Sequence, residues 1–238
     1  MLVYEKTNLI NKDIGLTQRR STIGPEELLI EEFIHILKNT KINSKFETII
    51  FREPWLESGA PDLVIARYRP QVFQSWQEAR NILTIRDIKL IHFLHTNDNF
   101  NQEEIAKILC IKPKGAKETL ERLFESGILK KKHGIMSMVS FKKIFGIHSL
   151  IAIEAKTKNS RVLFEQAQIN KWFASESYTL SPGAKKPTTL IDRAAAHGVG
   201  VYTVAHSKLQ RLVKSPRFSL PNSYATWLFN EWVGRLAN

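Results

Sequence analysis

Cysteine is almost missing: Cys110 is the single one in 238 residues, which excludes an internal disulfide and suits a reducing compartment. Its setting, Ile105-Ala-Lys-Ile-Leu-Cys110, reads as a helix that buries a small apolar side chain. Long apolar runs are missing as well. No stretch approaches the roughly 18 residues of a membrane span, and the first six residues carry no secretory apolar core. There is no internal repeat and no low-complexity segment, which excludes solenoid and linker-type chains. Acidic residues are scarce beside basic ones, 23 against 35, for a formal charge of +12 and a pI near 9.8. That imbalance points to polyanionic partners, nucleic acid first. An anionic membrane surface is the rival, but it needs a basic amphipathic helix or a polybasic run beside an apolar anchor, and neither is evident. The expectation is a cytoplasmic protein that does not engage membranes.

What is present is enough to fold. Hydrophobic residues make up 43% of the chain and aromatic residues 10%, sufficient for one sizeable core or two smaller ones. Periodicity and Gly, Pro and Asn punctuation divide the chain into three blocks. The first has a helix over residues 25 to about 38, opened by Pro25 and an acidic first turn, then strand-like runs at 46–51 and 63–68. The middle block has helical segments at 85–94 and 113–126 with a short helix between, opened at Asn101-Gln-Glu-Glu104 by a capping-box pattern. Gly127 ends the third helix, and residues 128–139 read as a hairpin turning near His133-Gly134. The last block alternates strands at 149–155, around Tyr178 and at 199–205 with helices, and closes on an aromatic amphipathic helix at 223–236. Strands and helices on both sides of the middle block predict one α/β sheet interrupted by an insertion. The expected division is 1–80, first part of the core; 81–142, inserted domain; 143–238, second part of the core.

One constellation carries chemistry. Asp62 follows Pro61 at the start of a strand, and Glu154-Ala155-Lys156 closes another. Residues two apart in a strand face the same way, so Glu154 and Lys156 share a face on which they can meet Asp62 from a neighbouring strand. Two carboxylates make a hard oxygen site suited to Mg²⁺, with Mn²⁺ able to substitute, and such a cation neutralises charge developing on a phosphate. The lysine ammonium orients an attacking water and stabilises the transition state, or acts as a base if its pKa is depressed. The bland alternative is a turn aspartate and a strand-end ion pair in an inert scaffold. Charge at the end of an apolar strand favours the active reading.

Pro61-Asp62 and Glu154-Ala155-Lys156, with their strand and helix setting, resemble the PD-(D/E)xK nuclease superfamily over about two thirds of the chain. The resemblance implies a restriction-endonuclease-like core, a mixed central sheet flanked by helices, in which Asp62, Glu154 and the Ala155 carbonyl hold the metal. That family often places a glutamate on its first helix. Of Glu26, Glu27, Glu31 and Glu32, Glu26 falls on the stripe of Ile30, Phe33 and Leu37, though a first-turn Glu also suits the helix dipole without further duty. Gln166 resembles the glutamine that many members carry on the helix after the lysine, while Asn170 stands where an aromatic is usual.

Residues 85–139 resemble the winged helix of MarR-type regulators, with Leu120, Leu123 and Ile128 as core positions. Lys112, Lys114 and Lys117 lie at the start of its third helix, the part that a recognition helix presents to the major groove. Lys130, Lys131, Lys132 and His133 fall in the wing. From 112 to 133 seven Lys or Arg stand against three Glu, a net of +4, and between 185 and 217 seven basic residues, Lys185 and Lys186 among them, face Asp192 alone. The third helix has no Asn or Gln and its one Arg, Arg122, lies far along, so backbone grip outweighs base reading. A protein-docking role for this module is the alternative.

Other signals are discounted. Gly198-Val-Gly200 is a helix stop and not a nucleotide loop, His92 and His95 lack the partners of a zinc site, and Trp227, Phe229 and Trp232 suit a core or a dimer surface. The reading is a metal-dependent endodeoxyribonuclease of a restriction, transposition or repair type. Its partners are double-stranded DNA and either a second copy or another subunit of a larger system. The alternative is a DNA-binding regulator with a silent nuclease-like core.

Overall fold

The computed structural model describes residues 2–3, 24–40, 45–97, 102–132, 135–157, 161–183 and 187–237. The chain divides into two compact units: the first holds residues 24–67 and 148–222 with the short strand near the N-terminus, the second 68–147 and 223–237.

The first unit is α/β. Its sheet has seven strands among the described residues, in the order β1 (Leu2–Val3), β2 (Glu47–Arg52), β3 (Leu63–Tyr68), β6 (Ile147–Ala155), β7 (Glu176–Pro182), β8 (Gly200–Ala205) and β9 (Lys208–Val213). The sheet is mixed: β6, β7 and β8 pair in parallel, with Glu154 opposite Thr179, while β9 returns antiparallel to β8. β9 was not foreseen, because its register of Lys, Gln and Arg with Leu and Val exposes half of its side chains and lacks the apolar run of a buried strand.

Helices cover both faces, as the near-continuous burial of β3, β6 and β7 requires. Helix α1 (Pro25–Asn39) begins at a proline whose missing N–H costs nothing in the first turn, and carries Glu26 and Glu27 there and Lys38 in its last turn. It buries Leu29, Ile30, Phe33 and Ile34 against Ile50, Leu63, Ile153 and Leu180. On the other face α7 (Arg161–Ile169) and α8 (Pro187–His197) bring Leu163, Phe164, Leu190 and Ala194 onto Val199 and Val201. Gly198, at φ +60°, ends α8 as expected.

In the second unit three helices, α3 (Ile85–Thr96), α4 (Gln102–Ile108) and α5 (Pro113–Glu125), precede an antiparallel hairpin of β4 (Leu129–Lys132) and β5 (Ile135–Met138). Asn101, His133 and Gly134, which carried the capping-box and turn assignments, lie outside the described residues. Leu120, Leu123 and Ile128 are buried as expected. Arg122 is structural: it grips the buried Asp87 through two hydrogen bonds of 2.9 and 2.7 Å, and Asp87 forms the capping box that opens α3 with Thr84. Cys110 is a correction, for it is exposed at φ +52° in the turn after α4 and not inside a helix.

The C-terminal helix α9 (Tyr224–Ala237) corrects the expected division. It groups with the inserted segment and not with the second part of the sheet unit, as do residues 68–80. The reason is a buried polar hub: Arg80 donates to both oxygens of Glu231 at 3.1 and 2.7 Å, while Asn230 accepts from the Gly146 amide and donates to the Ile144 carbonyl. Trp227, Phe229 and Trp232 are core residues of this unit, and His95 packs between the rings of Phe141 and Trp227. No helix among the described residues is long and apolar enough to cross a membrane.

Candidate functional site

Five of the residues singled out from the sequence meet at one corner of the first unit. Asp62 stands just before β3, and its carboxylate accepts a 2.6 Å hydrogen bond from the Ala155 amide at the end of β6. This ties together positions 93 apart in the chain. Glu154, one residue earlier, is 5% exposed, and Lys156 follows directly, its own amide held by the Leu180 carbonyl. Helix α1 supplies the fifth residue from its first turn: Glu26 accepts a 2.7 Å hydrogen bond from the Lys156 ammonium.

The four glutamates of α1 separate by partner. Glu27 and Glu31 bind the buried Arg52 at 2.9 and 2.6 Å, clamping the helix to β2. Glu32 accepts from the Ser207 amide at the β8–β9 turn. Glu26 alone of the four reaches Lys156 in these contacts, the arrangement that its place on the apolar stripe suggested.

Burial pulls the Lys156 pKa down, but the hydrogen bond it donates to Glu26 and the fields of Asp62, Glu26 and Glu154 outweigh it and hold the pKa above the ordinary lysine value. The ammonium therefore stays charged throughout the neutral range. That direction suits an electrostatic part better than a base's.

Two features of the corner were missed. Asn170, buried in the single 3-10 turn Asn170–Trp172 after α7, donates a 2.7 Å hydrogen bond to Glu154 Oε1. Gln166, one turn earlier, is exposed, so Asn170 is the amide that reaches the carboxylate. A helical reading hides it, because α7 gives way to the 3-10 turn at residue 170, which buries Asn170 although Gln166, four residues before, is exposed. The second is Glu53, buried, at a left-handed φ of 43° where non-glycine residues are uncommon, its amide donating to the Asp62 carbonyl at 3.0 Å. Nothing in the run Phe51-Arg-Glu-Pro54 announces that conformation.

Among the described residues no group of three or more His, Cys, Asp or Glu stands ready to hold a metal ion. The groups named from the sequence for a metal are two carboxylates, Asp62 and Glu154, and the Ala155 carbonyl. All are hard oxygens, which fits a Mg²⁺-like cation that keeps several of its waters.

The basic residues named for DNA contact that the structure describes belong to the second unit. Lys112, Lys114 and Lys117 are exposed at the start of α5, and Lys130 and Lys131 are exposed on β4. Lys117 is 3.8 Å from Glu121, one helical turn on. The Lys132 side chain, His133, Lys185 and Lys186 lie outside the described residues. Compared with known proteins, the chain matches no family model, no curated protein and no solved structure.

Proposed function

We propose that this chain is a metal-dependent DNA endonuclease of the PD-(D/E)xK type, serving restriction, transposition or repair, whose helical segment with its hairpin acts as a winged helix that grips duplex DNA. The observation that carries the reading is the convergence of Asp62, Glu154 and Lys156 on one corner. A strand start and a strand end 93 residues apart are joined there by a direct hydrogen bond. A strand-end ion pair in an inert scaffold needs neither the buried Glu154 nor the amide that orients it.

The chain's own groups divide the work. Asp62, Glu154 and the Ala155 carbonyl would hold the cation, which when bound supplies Lewis-acid neutralisation of the scissile phosphate. Asn170 fixes one Glu154 oxygen by a neutral donor, which holds the carboxylate in its orientation. Lys156 presents a permanent positive charge to the attacking water and to charge building on the phosphate oxygens. Glu26 holds that ammonium in place until substrate arrives.

The test is supercoiled plasmid incubated with Mg²⁺, with Mn²⁺ and with EDTA. Cleavage is expected with either metal and not in EDTA, and Asp62→Ala or Glu154→Ala should abolish it while the fold and DNA binding persist. Cutting at the wild-type rate by either variant would remove the corner from the chemistry.

A further inference from the structure

Of the five tryptophans only Trp55 is exposed, with 55% of its surface open to solvent. It sits in the β2–β3 loop that leads into Asp62. That loop is anchored on three sides. The Glu53 amide bonds the Asp62 carbonyl at its base, Leu56 and Gly59 exchange N–H···O bonds of 3.0 and 3.1 Å near its tip, and Ser58 Oγ accepts from Trp172 Nε1 at 2.8 Å. Trp172 belongs to the same 3-10 turn as Asn170, the residue that orients Glu154. The two bonded pairs bracket Trp55 opposite Ala60, two residues before Asp62 in the chain.

A large apolar ring held out on an anchored loop loses the hydrophobic gain of burial, and the hydrogen bonds of the loop give it nowhere to collapse. Under the nuclease reading the partner that comes to this corner is a polyanion, which the formal charge of +12 on the chain as a whole suits. Nucleic acid combines that charge with flat apolar faces. Bases inside an intact duplex have both faces covered by their neighbours, whereas an unpaired base offers a free face to an indole.

We infer that Trp55 stacks on an unpaired base beside the scissile phosphate, so that the preferred substrate is DNA interrupted by a gap, flap or single-stranded junction and not uniform duplex. This rests on the nuclease reading of the corner and names its substrate class.

The experiment uses the full chain in EDTA, where no cutting occurs, with oligonucleotides carrying the fluorescent base aminopurine either in a gap or inside an intact duplex. Wild-type protein should quench the gap-borne aminopurine and bind gapped DNA more tightly than intact duplex. Trp55→Ala should lose the quenching and weaken gapped-DNA binding by at least about fivefold, leaving intact-duplex binding unchanged, and Trp55→Phe should retain part of both. Because the side chain is exposed, neither substitution threatens the fold. Equal affinity and equal emission across the three proteins would overturn the inference, as would an equal loss on gapped and intact DNA or an absence of DNA binding by wild type. The same samples with Mg²⁺ separate the two readings. Stacking without cleavage would sink the nuclease and leave Trp55 as a base platform, and cleavage indifferent to Trp55 would do the reverse.

Discussion

The Glu154 carboxylate depends on Asn170 as much as on its own strand. A neutral amide donor at 2.7 Å favours the ionised form without adding a charge that competes for a cation. Asn170→Ala should therefore raise the Mg²⁺ concentration needed for half-maximal cleavage, by about tenfold to a hundredfold as for other residues behind a metal ligand, with a smaller effect at saturating metal. Asn170→Asp sets a second carboxylate against Glu154, so one of the two holds its proton to higher pH, and the acid limb of the activity profile should move upward. Titration of activity against Mg²⁺ and pH checks both, and an unchanged metal requirement would reduce Asn170 to packing. Asp62, Glu154 and Lys156 were legible in the sequence because strand alternation fixes which side chains share a face. The Asn170 contact was not, since the step from α7 into a 3-10 turn decides where residue 170 points.

At the scale of elements, most helices and strands follow from periodicity and punctuation. α1, β2, β3, α3, α5, β6 and β8 lie within a few residues of the expected bounds, because each carries an apolar face of the right period. The short pieces α2 (Pro70–Gln74) and α6 (Phe141–Ile144), with the 3-10 turn Glu78–Ile82, escaped, being too brief for a period to register. The assignment of α9 failed for a different reason. It is not the amphipathic helix expected, for Ala225 to Gly234 are buried on every face, and its partner is chosen by the Arg80–Glu231 pair, 151 residues apart, which no local pattern reveals. Arg80 is buried, its guanidinium lies 3.5 Å from the Trp76 ring centre, and Glu231 is fully buried. Arg80→Ala leaves that carboxylate uncompensated and should cost about 3–5 kcal/mol. Arg80→Met with Glu231→Leu should restore much of it, since an apolar pair of similar volume removes the stranded charge. Urea unfolding followed by tryptophan fluorescence reads both, and a single variant as stable as wild type would show the hub to be dispensable.

For the whole molecule, basic charge is spread over both units. The corner proposed to hold a cation lies in the first, which also displays Arg193, Lys208, Arg211, Lys214 and Arg217, while Lys112, Lys114, Lys130 and Lys131 are displayed on the second. If these lysines neutralise phosphates, replacing Lys130, Lys131 and Lys132 with Gln should weaken binding to all duplex sequences alike. The slope of log affinity against log salt should flatten by about 0.9 for each phosphate that is no longer neutralised. Unchanged slopes would recast the helical module as a protein dock. The central claim, that the corner joining Asp62, Glu154 and Lys156 cuts DNA, is met most directly by single-turnover cleavage of a pre-bound duplex, interrupted by a gap, at saturating Mg²⁺. Wild type, Lys156→Ala and Lys156→Arg are compared at equal occupancy. Lys156 is a standing cation, so the alanine variant should bind metal and DNA as before yet cut about 10²-fold to 10³-fold more slowly. The arginine variant should recover only part of the rate, because its planar fork is wider than an ammonium. One common rate for all three, or no cutting by wild type, would contradict the account and leave the corner a structural ion pair.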